Sequence, residues 1–301
     1  MAALVAAALR DAGERPAVLS RGYGRRHAED GVVVVRDPGG VRADLDRAGD
    51  EPLMLARNLD GVAVLASSSR FLAGRLAETQ FGCTVHVLDD GFQHFDVHRS
   101  ADLVIVARED FERPVTLPSG RLREPLDAAA AADALVWLDQ GPEDGGSDGG
   151  SEDPPYASHV GRVLRPGIPV WRARRTQPPA ASAEPVFAVA GIASPASFFA
   201  ALRANGWTIA GELAFRDHHR YSRADLGEML ARARAAGATR VVTTEKDLVR
   251  LLPFRPFAMA IDAVPVTLTL EDAAGFAGWL LAAVASARAG EAGGAKPPGQ
   301  R

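Results

Sequence analysis

The sequence predicts an α/β protein: a mostly parallel, doubly wound sheet followed by a second, smaller α/β domain. Three observations carry that expectation. Short apolar runs at 62–66, 85–88 and 103–106 alternate with stretches of helical character. Those runs end in polar or glycine-bearing loops, as strands do when a site lies beyond their carboxyl ends. The same alternation resumes after a Pro/Ala-rich stretch at 176–185, which reads as the domain boundary. The expected division is an N-terminal domain over 1–180, a C-terminal domain over 181–289 and a disordered tail over 290–301.

Taken in order, residues 2–12 read as an alanine-rich helix ending near Gly13, and 16–19 as a short strand. Ser20-Arg21-Gly22-Tyr23-Gly24-Arg25-Arg26 follows it. Two glycines and three arginines after a strand suit an anion-binding loop, though a basic surface turn has the same composition. Residues 32–35 read as a strand, paired as a hairpin with the segment near Val41. Gly49-Asp50-Glu51-Pro52 opens a helix running to Leu59, where acids complement the macrodipole. Ser67-Ser68-Ser69-Arg70 caps the helix that runs to Gln80. An alanine-rich helix is expected after Pro125 and a strand at 134–138. Residues 140–155 form an acidic Gly/Ser/Pro insert, too polar to pack and therefore flexible. In the second half, strands are expected at 186–190, 207–213, 241–244 and 257–261, and helices at 195–204, 224–236 and 272–287.

Bulk properties exclude some functions. The net charge of -4 gives no electrostatic footprint for nucleic acid. A single cysteine, Cys83, rules out an internal disulfide and fits a reducing compartment. No stretch reads as the ~20 consecutive apolar residues of a membrane span.

The stretch with the most chemistry is Val85-His86-Val87-Leu88-Asp89-Asp90-Gly91-Phe92-Gln93-His94. Two carboxylates ending a buried strand suit a magnesium ion held on a nucleotide. A lone Asp there would serve equally as a helix N-cap. Asp217-His218-His219 sits in a polar loop, where packing explains a histidine poorly. Thr243-Thr244-Glu245-Lys246-Asp247 reads as a strand end, and equally as a capped helix start.

Seven motifs in order give a resemblance. They are Ser-Arg-Gly-Tyr-Gly-Arg (20–25), Gly-Asp-Glu-Pro (49–52), Leu-Asp-Asp-Gly-Phe-Gln-His (88–94), Leu-Pro-Ser-Gly-Arg-Leu-Arg-Glu-Pro (117–125), Ala-Gly-Ile-Ala-Ser-Pro (190–195), Phe-Arg-Asp-His-His (215–219) and Thr-Thr-Glu-Lys-Asp (243–247). Together, from Met1 to about Ala287, they resemble the tetraacyldisaccharide 4'-kinase family, the lipid A 4'-kinases of Gram-negative bacteria. The resemblance implies a P-loop-NTPase-like N-terminal domain, a smaller C-terminal one and a site between them. It implies phosphorylation of the 4'-hydroxyl of a tetraacyldisaccharide 1-phosphate lipid A precursor. ATP and Mg2+ would serve as cofactors, at the cytoplasmic face of the inner membrane. Asp50 matches the family's catalytic aspartate and His218 the histidine that works with it. Asp89 and Asp90 match the Walker-B-like acids near the metal, with Glu51 also on the cofactor side. Tyr23, Arg70, Gln93, His94, Arg123 and Glu124 match positions around substrate and nucleotide.

One departure is large. The family carries Gly-Gly-Thr-Gly-Lys-Thr before the helix that here begins at residue 2. In this sequence Lys246 follows Glu245 and Lys296 follows Ala295, so neither belongs to a phosphate loop. The chain is expected to be an N-terminally truncated member lacking that loop, the strand before it and the family's hydrophobic anchor, and to be impaired as a kinase. Two other readings stay open at this level: a non-catalytic lipid- or partner-binding remnant, and a magnesium-dependent phosphohydrolase acting through Asp89.

Overall fold

The computed structural model describes residues 1–26, 31–139 and 167–292. The insert expected at 140–155 lies outside them, as do residues 293–301 of the expected tail. The described chain is α/β with three parallel-rich sheets. It forms two compact units interleaved in sequence: Met1–Arg10, Glu14–Asp89 and Thr176–Thr267 make one, and Asp11–Gly13, Asp90–Arg175 and Leu268–Arg301 the other.

The first unit begins with α1 (Ala2–Asp11), β1 (Pro16–Ser20) and the hairpin of β2 (Val33–Asp37) with β3 (Gly40–Val41). The short α2 (Leu45–Ala48) runs into α3 (Asp50–Asn58); β4 (Ala63–Ala66), α4 (Arg70–Phe81) and β5 (Val85–Leu88) complete the layer. Strand order is β3-β2-β4-β1-β5, with β4, β1 and β5 parallel and the hairpin antiparallel at the edge. The period of two along a strand sorts side chains between two cores. Val18, Val64 and Ala66 face Ala6 of α1 and Leu53, Leu55 and Ala56 of α3. Ala17, Leu19, Ala63 and Leu65 face Ala73 and Ala77 of α4. A sheet apolar on both faces needs helices on both, which is the doubly wound arrangement expected. As predicted, Ser69 caps α4, its hydroxyl accepting from the Leu72 amide at 3.3 Å.

The four-stranded sheet of the same unit follows the same logic. In β9 (Val186–Ala190), Val186, Ala188 and Ala190 pack on Phe198, Phe199 and Leu202, while Phe187 and Val189 pack on Met229, Leu230 and Ala233. The first helix is α6 (Pro195–Ala204) and the second α7 (Arg223–Ala235); the five-residue α5 (Arg108–Glu112) lies in the other unit. With β10 (Ile209–Ala214), β11 (Arg240–Thr244) and β12 (Ile261–Val264) the order is β10-β9-β11-β12, all parallel. After β11 comes α8 (Glu245–Leu251), whose Val249 joins the core formed by α1 and α3.

The second unit holds β6 (Leu103–Ala107), α5 (Arg108–Glu112), β7 (Ala134–Asp139), β8 (Val170–Thr176), β13 (Thr267–Leu270) and α9 (Ala273–Ala292), with sheet order β13-β8-β7-β6. Its core gathers Val106, Ala129, Leu135 and Trp137 around Phe92 and Phe111.

Several expectations are corrected. The strand placed at 257–261 starts at Ile261, because Ile261 is the residue that registers with Val241; Phe257 and Met259 instead pack on the core from a loop. After Pro125 there is only a six-residue 3-10 helix, Leu126–Ala131. Val85–Leu88 is an edge strand with half-buried residues, since β1 is its sole partner in the sheet. Thr267–Leu270, a Thr/Leu alternation, was passed over as a strand. Helix α9 is long and apolar enough to span a membrane by length and composition, which the sequence reading missed. Its Phe276 and Leu280 are buried, with Phe276 against Trp171, while 11% of the Ala273–Gly290 window is buried in all.

Candidate functional site

The site is built where α3 and α8 meet in the first unit. Gly49 precedes α3 with φ 84°, a conformation glycine adopts freely. Its missing side chain also matters: a Cβ there would stand 2.7 Å from the Tyr23 carbonyl oxygen. The chain thus brings the Ser20–Arg26 loop against the start of α3. Asp50, first residue of α3, accepts through Oδ1 from the Glu51 amide at 2.9 Å. Its other oxygen, Oδ2, receives Nε of Arg250 at 2.8 Å and also Nη2. Asp50 is 8% exposed and Arg250 5%.

Arg250 rests on a second anchor. Its Nη1 donates to the Gly191 carbonyl at 2.8 Å and to Asp247 Oδ1 at 3.0 Å, one turn back on α8. Asp247 is wholly buried. It accepts from the Gly191 amide (2.9 Å), the Thr244 hydroxyl (2.7 Å) and the Tyr221 hydroxyl (3.1 Å). Thr244 reciprocates by accepting from the Asp247 amide, so the Thr-Thr-Glu-Lys-Asp motif is a capped helix start. Burial, with the Asp247 charge beside it, pushes the Tyr221 hydroxyl well up. Tyr221 therefore stays a neutral donor.

His218 completes the cluster. Its Nδ1 lies 3.3 Å from Asp50 Oδ2 and 3.3 Å from Arg250 Nη2. Its Nε2 lies 3.4 Å from Lys246 Nζ, which in turn donates to Glu51 Oε1 at 2.8 Å. Tyr23 places its ring edge-on, 5.4 Å away. Asp217 borders the cluster: its Oδ2 lies 3.9 Å from His218 Nε2, and its Oδ1 accepts from the His218 amide and shapes the loop. The neighbouring His219 is structural. It stacks on Phe215 and bonds Asp225, which belongs to the capping box of α7.

Burial alone would push the Asp50 carboxyl up. The hydrogen bonds and charge of Arg250, aided by Lys246 and His218, outweigh it and hold the carboxyl below the usual carboxylate value. The arrangement is an ionised carboxylate in a half-dry setting, oriented by a guanidinium and touching an imidazole.

The remaining sequence candidates divide between the units. Asp89, in the first unit, continues the ladder of β5: its amide donates to Leu19 and its Oδ2 accepts from the Ser20 hydroxyl at 3.4 Å. Arg70 is buried, and its Nη1 donates to the Ser67 carbonyl at 2.6 Å. Tyr23 is exposed. In the second unit, both oxygens of Asp90 accept from Arg123 Nη1, at 2.7 and 2.6 Å. The His94 carbonyl accepts from Arg99, which is fixed by Asp102. Gln93, His94 and Glu124 are half-buried. Among the described residues no group of three or more His, Cys, Asp or Glu is gathered tightly enough to hold a metal unaided. Sequence reasoning missed Arg250, Asp247 and Tyr221, and set Lys246 aside. The available signal was Lys-Asp-x-x-Arg, which puts Lys246, Asp247 and Arg250 on neighbouring helical positions.

Comparison with known proteins identifies the family. A family model described as tetraacyldisaccharide-1-P 4'-kinase matches residues 1–285. A tetraacyldisaccharide 4'-kinase of Rhodopseudomonas palustris (strain BisA53) is 39% identical over 289 residues, 94% of this chain and 78% of that protein. One of Bradyrhizobium sp. (strain BTAi1 / ATCC BAA-1182) is 38% identical over 293 residues, 94% of this chain and 79% of that protein. A crystal structure of the "apo" form of LpxK from Aquifex aeolicus in complex with ATP superposes with a TM-score of 0.69 at 26% identity, covering 94% of this chain and 82% of that one.

Proposed function

Since the chain belongs to the tetraacyldisaccharide-1-P 4'-kinase family, we propose that Asp50 and His218 form the proton-accepting centre for transfer of a phosphoryl group from ATP to the 4'-hydroxyl of a tetraacyldisaccharide 1-phosphate lipid A precursor. The family's reaction is a kinase reaction of lipid A biosynthesis. The observation that supports the residue assignment is the Arg250 clamp on a buried Asp50 with His218 at 3.3 Å. A sugar hydroxyl attacking a phosphorus must lose its proton as the bond forms. Asp50 is ionised and fixed, and Oδ1 has one backbone donor, so that oxygen keeps accepting capacity for a hydroxyl. His218, bonded to the other oxygen, orients the carboxylate.

ATP with Mg2+ supplies the phosphoryl group and neutralises its charge. Asp89 fits as one metal carboxylate, because magnesium is commonly bound through one or two carboxylates with water and phosphate completing the shell. Asp90, the second proposed metal acid, gives both oxygens to Arg123 here and would have to release them first. The nucleotide side falls to Glu51, Asp89 and Asp90, and the substrate side to Tyr23, Arg70, Gln93, His94, Arg123 and Glu124. The lipid substrate places the enzyme at a membrane surface.

Asp50→Asn tests the assignment, measured with the nucleotide-binding loop supplied in a full-length relative carrying this cluster. It keeps the shape and removes the base, so kcat falls about 10²–10⁴-fold. KM for ATP changes little, because the base does not hold nucleotide. Near-normal kcat would reduce Asp50 to an ion-pair anchor.

A further inference from the structure

We infer that Lys246 is a positioning residue: its ammonium, tethered by Glu51, fixes the imidazole of His218 in the tautomer that carries its proton on Nδ1, facing Asp50. The inference rests on the assignment of Asp50 and His218 to chemistry for its catalytic meaning. The geometry itself does not depend on it.

The argument is one of donors and acceptors. A neutral imidazole has one N–H and one lone pair, and its surroundings choose which nitrogen carries which. An ammonium has three donors and no acceptor, so whatever faces Lys246 Nζ at 3.4 Å must offer a lone pair. That nitrogen is Nε2. Nδ1 has two neighbours with opposite demands, Asp50 Oδ2 and Arg250 Nη2, each at 3.3 Å. Arg250 keeps one Nη2–H beyond its bonds to Asp50, Asp247 and the Gly191 carbonyl, which a lone pair on Nδ1 would accept; that lone pair would also face the Asp50 carboxylate and leave Nε2–H aimed at the ammonium, so Nδ1–H to the Asp50 carboxylate is the pairing with fewer opposed groups. The other charged group near the ring is Asp217, whose Oδ2 is 3.9 Å from Nε2; Tyr23 contributes only its ring edge.

Lys246 is itself held for this task. The chain has two lysines among 34 basic residues. Lys246 sits in the first turn of α8, four positions before Arg250, so both cations project from one side of the helix toward His218. Glu51, adjacent to Asp50 on α3, accepts from Nζ at 2.8 Å and stops the flexible stem from swinging away. Neighbouring residues on α3 thus hold the two groups that address opposite edges of the imidazole.

Long-range nitrogen–proton NMR of histidine-labelled protein tests this, with the His218 signals assigned by their loss in His218→Gln. The chain has seven histidines, so the assignment is tractable. Wild type should show a protonated Nδ1 and an unprotonated Nε2. Lys246→Met, matched in length but without donors, should shift the population several-fold toward Nε2–H. Lys246→Arg should retain the wild-type pattern. If Lys246→Met does not fold, Glu51→Gln decides: Glu51 is partly exposed, and loosening the tether should shift the pattern in the same direction. A protonated Nε2 in wild type, or a pattern unmoved by these variants, would overturn the inference. The spectrum reads the ring whether or not phosphate is transferred. An active Asp50→Asn enzyme would therefore sink the base assignment while leaving this result intact.

Discussion

Arg250 joins two buried carboxylates, and removing it should produce a stability loss with a characteristic pH dependence. In Arg250→Met the packing volume is roughly kept, while Asp50 loses both guanidinium hydrogen bonds and Asp247 loses one of its four partners. Breaking a buried pair by removing one member costs about 3–5 kcal/mol, because a buried charge is left uncompensated. Asp50 retains Lys246 and His218 nearby, so the lower end, about 3 kcal/mol at pH 7, is expected.

The sign follows from the carboxyl. In wild type its folded-state value is held below the unfolded one, so its contribution is present above the unfolded value of ~3.9 and is lost as pH falls through the lower folded value. In the variant, burial acts without its main counterweight, with Lys246 and His218 left to oppose it, so the folded-state value rises relative to wild type. The variant therefore suffers most at neutral pH and recovers relative to wild type as Asp50 takes up its proton. The difference should shrink as pH falls from 7 to 4.5, toward the roughly 1 kcal/mol expected of the lost hydrogen bonds. Urea unfolding followed by circular dichroism, at both pH values, reads this directly. Arg250→Lys should restore part of the loss, as a point charge without the planar fork. A loss of equal size at the two pH values would mean that packing alone is at stake, and the account of Asp50 as an ion held against burial would be wrong.

Two further outcomes are expected. Gly49→Ala puts a Cβ 2.7 Å from the Tyr23 carbonyl at φ 84°, so it should destabilise by about 1–3 kcal/mol in thermal melts and displace Asp50; an unchanged melting temperature would refute the close approach. Calorimetric titration of the 301-residue chain with ATP and magnesium should give weak or no binding, since residues 1–301 contain no Gly-Lys-Ser/Thr phosphate loop; tight, magnesium-dependent binding would show that other residues cradle the phosphates.

The legible part of the fold was what local pattern controls. Ser69, the Gly49–Asp50 helix start and the hairpin near Val41 follow from short-range chemistry, and the structure has all three. The strand at 261–264 was misplaced because register is set by its partner β11, and apolar Phe257 and Met259 imitate strand residues while packing from a loop. Asp50 and His218 could be singled out through the family motifs, yet nothing local distinguishes His218 from His219. That distinction is tertiary: one ring meets Asp50, the other stacks on Phe215 and helps cap α7. Arg250 was illegible for the same reason. Its partner Asp50 lies 200 positions earlier, and a single arginine in a helix reads as a solvated face.

Backbone strain supplies a line of reasoning independent of those motifs. Among the described residues, the non-glycine positions with positive φ are Asp90 at 55° and His218 at 54°. Left-handed backbone costs an ordinary residue about 1–2 kcal/mol, and it persists only where surrounding contacts over-determine it. At His218 the determining contacts are visible: the Asp217 carboxylate takes the His218 amide, while Asp50, Arg250 and Lys246 hold the ring from both edges. At Asp90 the same conformation ends β5 and turns the carboxylate onto Arg123. Gly and Asn are most at ease at such positions, and Asp and His are enriched there as well, so the strain is modest. Keeping a titratable side chain there makes sense if its direction matters more than the strain. Both residues also lie in the stretches singled out by their chemistry.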